Sequence, residues 1–187
     1  MKYLLDSNIF IEPKKQFYVF DLCPDFWTWI RTSKDLTSIE EVREEIFKGD
    51  DELVLWMKQF LKKEWFIKTD TTTQKNYNII ADYVNALEKN SQRNKDTFLN
   101  GADGWLIATA MKQNDIIVTL EKSHPATNNG KIYLPDVAKH FNVNCIMLCD
   151  LLRAFKISFV FESEARKKWI DTSCDEAFHL VQEIANP

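Results

Sequence analysis

The stretch KYLLDSNIFI, residues 2–11, decides how this chain is interpreted. Tyr3, Leu4 and Leu5 form a short apolar run that is typical of a buried strand, and the Asp-Ser-Asn after them is typical of a turn or a helix cap. Asp6 therefore stands where a strand ends. Because ligands bind at the carboxyl ends of the strands in an open parallel α/β sheet, Asp6 is a candidate functional carboxylate. An aspartate that caps the next helix is the competing interpretation, and from this segment alone it is the stronger one.

The composition is that of an ordinary globular protein. The 187 residues are 45% hydrophobic and 28% charged, which is enough for one domain with a sizeable core. No apolar run approaches the length of a membrane-spanning helix, and the first residues lack the pattern of a signal peptide. We therefore expect a cytoplasmic protein that does not bind membranes.

Residue counts also limit the choice of cofactor. The four cysteines and three histidines are scattered, and the one near pair, Cys145 and Cys149, flanks an apolar segment, which disfavours zinc and a disulfide framework. The four glycines are isolated, so no Gly-rich loop is present to hold a nucleotide phosphate. A net charge of -4 argues against coating nucleic acid through bulk positive charge, although it allows a local basic rim.

Short apolar segments alternate with helical patterns along the chain. Strands are expected at 3–5, 66–70, 116–121 and 143–149. Helices are expected at 23–33, at two places in 35–65 separated by Gly49, and at 71–90, 102–115 and 134–141. The polar stretch 91–97 and the turn-rich stretch 123–131 are expected loops.

Short strands without polar alternation, separated by helices, are typical of a mostly parallel sheet covered on both faces. We therefore expect a three-layer α/β/α fold. Residues 1–150 would form this domain, and 151–187 would form a C-terminal extension of helical or mixed structure that packs on the same domain.

Further acidic residues occupy positions like that of Asp6. They are Glu44 or Glu45 in VREEI, Asp103 before a buried helical pattern, and Glu121 at the end of a strand. Strand ends and helix starts meet at one edge of an α/β sheet. Clustered carboxylates cost stability unless a cation neutralises them, and oxygen ligands suit Mg²⁺ or Mn²⁺. One or two such ions support hydrolysis of phosphodiester bonds, which is the chemistry that this pattern predicts.

Each of these acids also has a structural interpretation. Glu45 is one of several acids in its segment and is compatible with a solvated helix charge. Asp103 is compatible with an N-cap of its helix, alone or combined with metal binding. The order of the acids along the chain, with Asp6 and Asp103 beside buried elements, favours the metal site.

Four segments in succession, KYLLDSNIFIE, EEIFKG, GADGWLIATA and IIVTLEKS, resemble the acidic motifs of the PIN domain. The resemblance covers about residues 1–150. With FYVFDLCPDFWTWI and DELVLWMK, it is closest to a less studied PIN-like family from prokaryotes. It implies a PIN-like fold and a Mg²⁺- or Mn²⁺-dependent ribonuclease, often the toxin of a toxin–antitoxin pair of the VapBC type.

The resemblance implies an acidic site whose members are both catalytic residues and metal ligands: Asp6, Glu45, Asp103 and Glu121. Glu45 is preferred to Glu44 because it stands four residues before Gly49, which is the family's Glu-to-Gly interval. The fourth acid of the family is more often Asp, and Glu121 reaches one methylene further.

Three polar residues match supporting positions of the family. Thr119 matches the small hydroxyl residue two positions before the fourth acid. Ser7 and Asn8 match the polar pair after the first acid, and Asn8 is expected to hydrogen-bond near the site.

Candidate RNA contacts are four lysines expected in loops near the strand ends: Lys14, Lys15, Lys122 and Lys131. A solvated loop charge is the competing interpretation for each. The six tryptophans are interpreted mainly as core or partner-interface residues, with base stacking as the alternative.

Two classes of function follow. The first is a metal-dependent endoribonuclease that cleaves RNA, forms dimers as related toxins often do, and is inhibited by a cognate antitoxin protein. Such a partner would cover the acidic crevice with an Arg or Lys and pack on exposed aromatics of the FWTWI segment. The second is a PIN-like scaffold that binds RNA or protein without cutting it. A DNA flap nuclease is disfavoured because that class carries more acids and a helical arch.

Overall fold

The computed structural model describes residues 1–124 and 130–158. Five strands lie in this part of the chain: β1 (Tyr3–Leu5), β2 (Leu36–Ile39), β3 (Phe66–Ile67), β4 (Ile116–Thr119) and β5 (Cys145–Met147). The described helices are α1 (Asn8–Glu12), α2 (Pro24–Thr32), α3 (Glu40–Ile46), α4 (Glu52–Phe60), α5 (Thr71–Asn85), α6 (Gln92–Asn100), α7 (Asp103–Gln113), α8 (Leu134–His140) and α9 (Leu148–Ala154). A π-helical turn covers Pro13–Phe17 and a 3-10 turn covers Lys63–Trp65.

The five strands form one parallel sheet in the order β3-β2-β1-β4-β5. From β1 the chain moves outward through β2 to β3, and then returns to place β4 on the other side of β1. Because parallel crossovers are right-handed, this reversal puts α1–α4 on one face and α5–α8 on the other. The predicted three-layer α/β/α fold is thereby confirmed.

The core lies between the sheet and the two helical layers. Its members are apolar side chains from strands and helices that are almost inaccessible to solvent, among them Leu4, Leu5, Phe10, Ile30, Ile39, Val42, Met57, Ile80, Leu106, Ile107, Ile117 and Val118. In α2, Phe26 and Trp27 also belong to this core. The expectation that the FWTWI segment exposes its aromatics to a partner is therefore wrong for these two residues, because α2 turns them inward.

Most of the predicted elements are present. The strand predictions for 3–5, 66–70, 116–121 and 143–149 and the helix predictions for 23–33, 71–90, 102–115 and 134–141 are confirmed, with shorter bounds for several of them. The two helices separated by Gly49 are α3 and α4.

One strand is missing from the sequence prediction. The apolar spacing of 35–65 predicts a helix from its start, but residues 36–39 form β2, which is parallel to both β1 and β3. The hydroxyl of Thr37 donates to the Trp65 carbonyl at 2.6 Å, and that of Ser38 donates to the Leu5 carbonyl at 2.6 Å. These bonds satisfy two buried polar side chains, so a segment with polar residues lies inside the sheet, between β3 and β1.

The polar stretch 91–97 is also not the predicted loop. It forms most of α6, whose Ser91 N-cap accepts a hydrogen bond from the Asn94 amide at 3.3 Å. Phe98 and the stem of Lys95 are buried, and the Lys95 ammonium reaches the Asn85 carbonyl at 2.7 Å. A capped helix therefore forms because a lysine supplies part of its buried face.

The chain divides into two units, Met1–Leu151 and Leu152–Pro187. The first contains the whole sheet and every residue of the predicted site. The predicted structure and packing of 151–187 lie almost wholly outside the described residues, as does most of the predicted loop at 123–131. Among the helices that the structure describes, none is long and apolar enough to cross a membrane.

Helix α7 packs closely on α5 at Gly104. A Cβ atom at Gly104 would lie 2.9 Å from the Tyr77 ring. That ring is held on two sides, because it stacks on Trp105 with centroids 3.8 Å apart and its hydroxyl donates to the Leu99 carbonyl at 2.7 Å. The position therefore needs glycine for lack of space.

We expect Gly104→Ala to lower the free energy of unfolding by about 1–3 kcal/mol, since the added methyl overpacks this contact. Urea denaturation measures the change. Gly49→Ala is the control, because its Cβ would lie 3.4 Å from the nearest atom, and we expect a change below about 1 kcal/mol. Equal losses in the two variants would contradict the packing account.

Candidate metal centre

Asp6 lies at the centre of the sheet edge. It follows the last residue of β1, its amide donates to the Val118 carbonyl of β4 at 3.0 Å, and its exposed fraction is 3%. The chain connections leave β1 and β4 in opposite directions along the sheet. This is the switch point of an open α/β sheet, where a crevice forms between the diverging connections.

A hydrogen-bond network holds the Asp6 carboxylate. Its Oδ2 accepts from Asn8 Nδ2 at 2.5 Å and from Thr119 Oγ1 at 2.8 Å. Asn8 Nδ2 also donates to Thr119 Oγ1 at 3.0 Å, and Asn8 Oδ1 accepts from the Leu120 amide at 2.9 Å. The Glu121 amide donates to Thr119 Oγ1 at 3.0 Å. The Thr119 hydroxyl therefore donates its proton and accepts two hydrogen bonds, and both side-chain amide protons of Asn8 are donated.

The network leaves one carboxylate oxygen less firmly engaged. Ser7 Oγ donates to Asp6 Oδ1 over a longer distance, 3.3 Å. Asn8 and Thr119 thus fix the orientation of the carboxylate through Oδ2, while Oδ1 keeps capacity for a further partner. Ser7, Asn8 and Thr119 all lie beside Asp6, as the supporting role predicted for them requires.

The four predicted acids line a single crevice of about 260 Å³. Its wall consists of Asp6, Ser7, Asn8, Glu45, Asn94, Thr97, Phe98, Gly101, Asp103, Glu121, Lys131 and Ile132. Strand ends, helix α3 and the start of helix α7 each supply part of this wall.

The crevice raises the proton affinity of its carboxylates. Burial, with the charges of Glu121 and Glu45, raises the pKa of Asp6 to about 6 although the Thr119 hydrogen bond works to lower it. Burial and the charges of Asp6, Glu121 and Glu45 raise the pKa of Asp103 well above its usual value, against the opposing effect of Lys131. A cation would relieve this repulsion.

The capping interpretations do not hold for the two aspartates. The residue in the N-cap position of α1 is Ser7, and that of α7 is Ala102; neither helix has a side-chain capping bond. Asp103 is the first residue of α7, and its carboxylate accepts no hydrogen bond from any of the described residues. Asp103 is therefore available to a ligand in the crevice.

The adjacent glutamates of α3 face different surroundings. Glu45 lines the acidic crevice, whereas Glu44 is exposed and lines only a smaller neighbouring depression. The preference for Glu45 as the candidate ligand is compatible with this placement and stays a prediction, as does the alternative that Glu45 is a solvated helix charge.

Glu121 also reaches the crevice but has partners of its own. One of its carboxylate oxygens forms an ion pair with the Lys131 ammonium, and the other accepts the Leu134 amide at 3.1 Å. Burial works to lower the pKa of Lys131, but the hydrogen bond and charge of Glu121 outweigh it and raise that pKa.

Of the four predicted RNA-binding lysines, Lys131 alone lines the crevice. Lys14 pairs with Asp51 at 2.9 Å, and it lies with Lys15 in the π-helical turn after α1, not in the predicted loop, because α1 continues directly into that turn. Lys122 and Lys15 are exposed.

Sequence reasoning missed the contribution of α6. Asn94 and Thr97 line the crevice opposite the strand ends. Asn94 Nδ2 donates to the Gly130 carbonyl at 2.9 Å, beside Lys131, and so does Asn90 Nδ2 at 2.8 Å. Ser91 is a typical N-cap residue and could have predicted the start of α6, but the polar composition of 91–97 indicated a loop instead.

The acids do not form a closed cage. Within residues 1–124 and 130–158, no group of three or more His, Cys, Asp or Glu side chains is already arranged to hold a metal ion. Mg²⁺ commonly uses one or two carboxylates and completes its octahedron with waters and substrate phosphates, so an open set of carboxylates suits it.

Comparison with known protein families matches residues 3–159 to the model of a domain of unknown function, DUF4411. No curated protein and no solved structure matches the chain.

The raised pKa of Asp6 makes a prediction about the metal-free protein. Its carboxyl binds a proton near pH 6 when folded but only near its ordinary pKa of 3.8 when unfolded, so protonation favours the folded state. We expect the free energy of unfolding to rise by about 2 kcal/mol as pH falls from about 7.5 to about 4.5 in a chelator. The Asp70–Lys112 pair persists over this range because Lys112 lowers the pKa of Asp70 to about 2.

Urea denaturation at several pH values measures this rise. Asp103→Asn removes a second carboxyl whose pKa is raised in the folded state, so its contribution to the rise is lost and we expect a smaller rise on acidification than in the wild type. The control is Asp82→Asn, at an exposed position of α5. An identical pH dependence in the wild type and Asp103→Asn would contradict the electrostatic account.

Proposed function

We propose that this chain, which belongs to the DUF4411 family, is a metal-dependent endoribonuclease that hydrolyses RNA phosphodiester bonds. The observation that carries the proposal is the crevice at the switch point. There Asp6, Glu45 and Asp103 come together from three different elements, and the pKa values of the two aspartates are raised. Carboxylates that repel one another without a protein cation for each are suited to a divalent ion.

The donor set fits Mg²⁺ or Mn²⁺. It contains oxygen atoms alone, Asp103 has no hydrogen-bond partner among the described residues, and Asp6 Oδ1 has capacity to spare. We assign Asp6, Glu45 and Asp103 as the residues that would hold the ion. When bound, such an ion supplies an activated water and offsets charge on the departing oxygen.

The protein's own groups prepare the site. Asn8 and Thr119 keep the Asp6 carboxylate in one orientation, so little reorganisation is needed when a ligand arrives. On the α6 side, Asn94 and Thr97 make the wall of the crevice polar where the sugar and phosphate of the RNA backbone would lie. The narrow, acid-lined crevice suits a single strand whose phosphate approaches together with a cation.

The same proposal includes four further properties: membership of the PIN-like ribonucleases, a toxin role in the cytoplasm, dimer formation and inhibition by a cognate antitoxin. A groove of about 760 Å³ between α2 and α4 supports a protein partner, because Leu55 and Phe60 on its wall are exposed apolar side chains. Apolar side chains on a groove wall are typical of interaction sites.

A PIN-like scaffold that does not cut RNA is the second candidate. It is favoured by the Lys131 ion pair, which neutralises one of the acids. Metal binding and RNA cleavage distinguish the two candidates.

Calorimetric titration of Mn²⁺ into the adjacent variants Glu45→Gln and Glu44→Gln tests the site. We expect Glu45→Gln to weaken Mn²⁺ binding by about 10-fold or more, because a carboxylate of the crevice is lost, and Glu44→Gln to bind like the wild type. The two substitutions change charge equally on one helix, so long-range electrostatics cancels in the comparison. Equal effects of the two would contradict the assignment.

Cleavage of a mixed-sequence single-stranded RNA in Mn²⁺ tests the activity. We expect the wild type to cut it and Asp103→Asn to lose on the order of 100-fold or more in rate. A wild-type protein that binds Mn²⁺ but leaves this RNA intact would favour the scaffold.

A further inference from the structure

Glu121 differs from the other acids of the crevice because one of its carboxylate oxygens is paired with a lysine ammonium. The Lys131 ammonium donates to one carboxylate oxygen of Glu121, and the Leu134 amide donates to the other. Asp103, in contrast, accepts no hydrogen bond from the described residues. An ion at the Lys131-paired oxygen of Glu121 would compete with a charge-assisted hydrogen bond and with a positive charge, whereas an ion at Asp103 would compete with neither.

The chain on both sides of Lys131 is anchored. The Gly130 carbonyl before it accepts hydrogen bonds from Asn90 and Asn94, and Ile132 after it is buried. Backbone anchoring fixes where the lysine stem begins, and Glu121 determines where the ammonium ends. The Lys131 side chain is still 56% exposed, so its ammonium can contact a ligand while it stays paired.

The charges of the crevice distinguish Glu121 from the other three acids. Lys131 neutralises Glu121 locally, whereas no lysine or arginine among the described residues forms an ion pair with Asp6, Glu45 or Asp103. A phosphodiester gains negative charge as it is attacked, and an ammonium already held beside it stabilises that charge without reorganisation. Asp6, Glu45 and Asp103 would hold the ion, and Lys131 on Glu121 would add a second positive charge for the phosphate.

We propose that Glu121 is a positioning residue and not a metal ligand, and that it holds the Lys131 ammonium against the reacting phosphodiester of the RNA. The proposal rests on the ribonuclease function proposed above. It departs from the sequence-based expectation, in which Glu121 is the fourth ligand.

Titration of Mn²⁺ alone tests the first half. We expect the affinity of Glu121→Gln for Mn²⁺ to lie within about threefold of the wild-type affinity, and Asp103→Asn to lose saturable binding. Lys131→Met is expected to bind Mn²⁺ more tightly, because a positive charge leaves the crevice. Loss of binding in Glu121→Gln equal to that in Asp103→Asn would overturn the proposal and make Glu121 a ligand.

Hydrogen exchange at the Leu134 amide provides a readout that needs neither metal nor RNA. Glu121→Ala removes the acceptor of this amide and is expected to speed its exchange, whereas Lys131→Met leaves that acceptor in place and is expected to keep the exchange slow. Unchanged exchange in Glu121→Ala would overturn the proposal, because the Glu121 carboxylate would then not be held at the Leu134 amide in the orientation that positions Lys131. Unfolding curves of both variants show whether they are folded at the assay temperature.

Cleavage of the mixed-sequence RNA at saturating Mn²⁺ tests the second half. We expect Lys131→Met and Glu121→Gln each to lower kcat by on the order of 10- to 100-fold with little change in KM. The double variant is expected to be no slower than Lys131→Met, because both substitutions remove the same positioned ammonium. Lys131→Arg is expected to recover part of the rate. Wild-type kcat in Lys131→Met would overturn the proposal. A wild type that neither binds Mn²⁺ nor cuts RNA would instead refute the proposed function, which the Glu121 variants do not decide.

Discussion

The charge of Asp6 has to be held almost out of contact with solvent, and the hydrogen bonds from Asn8 and Thr119 make this possible. These bonds join the end of β1 to the end of β4, the two central strands on either side of the switch point. The hydroxyl of Thr119 also accepts the Glu121 amide, so the same network sets where the chain leaves β4. The other acids of the crevice are positioned relative to this fixed carboxylate.

Bringing further carboxylates to Asp6 works against stability. Burial and the charges of neighbouring acids raise the pKa values of Asp6 and Asp103, so the metal-free fold makes the charged forms of these groups less favourable than they are in the unfolded chain. Proteins retain such an arrangement where function uses it. Of the described residues that line the crevice, Lys131 carries a positive charge, and it pairs with Glu121 and not with the other three acids.

Much of the fold follows from the sequence because buried parallel strands and amphipathic helices have strong patterns. β2 and α6 were not predicted from the sequence, because tertiary contacts determine both. Thr37 and Ser38 of β2 donate hydrogen bonds to carbonyls of other segments. The stem of Lys95 completes the buried face of α6. The acids after β1 and at the start of α7 could be found by position alone. The pairing of Glu121 with Lys131 could not, because it depends on how residues ten positions apart meet in space.

A crystal structure with Mn²⁺, located by its anomalous scattering, is the most direct measurement of the central claim that the switch-point crevice is a metal centre. The account predicts an anomalous peak in the crevice within coordination distance, about 2.0–2.3 Å, of carboxylate oxygens of Asp6 and Asp103, with Glu121 still bound to Lys131. A crevice without a peak at saturating Mn²⁺, or a peak at another acidic cluster, would contradict it.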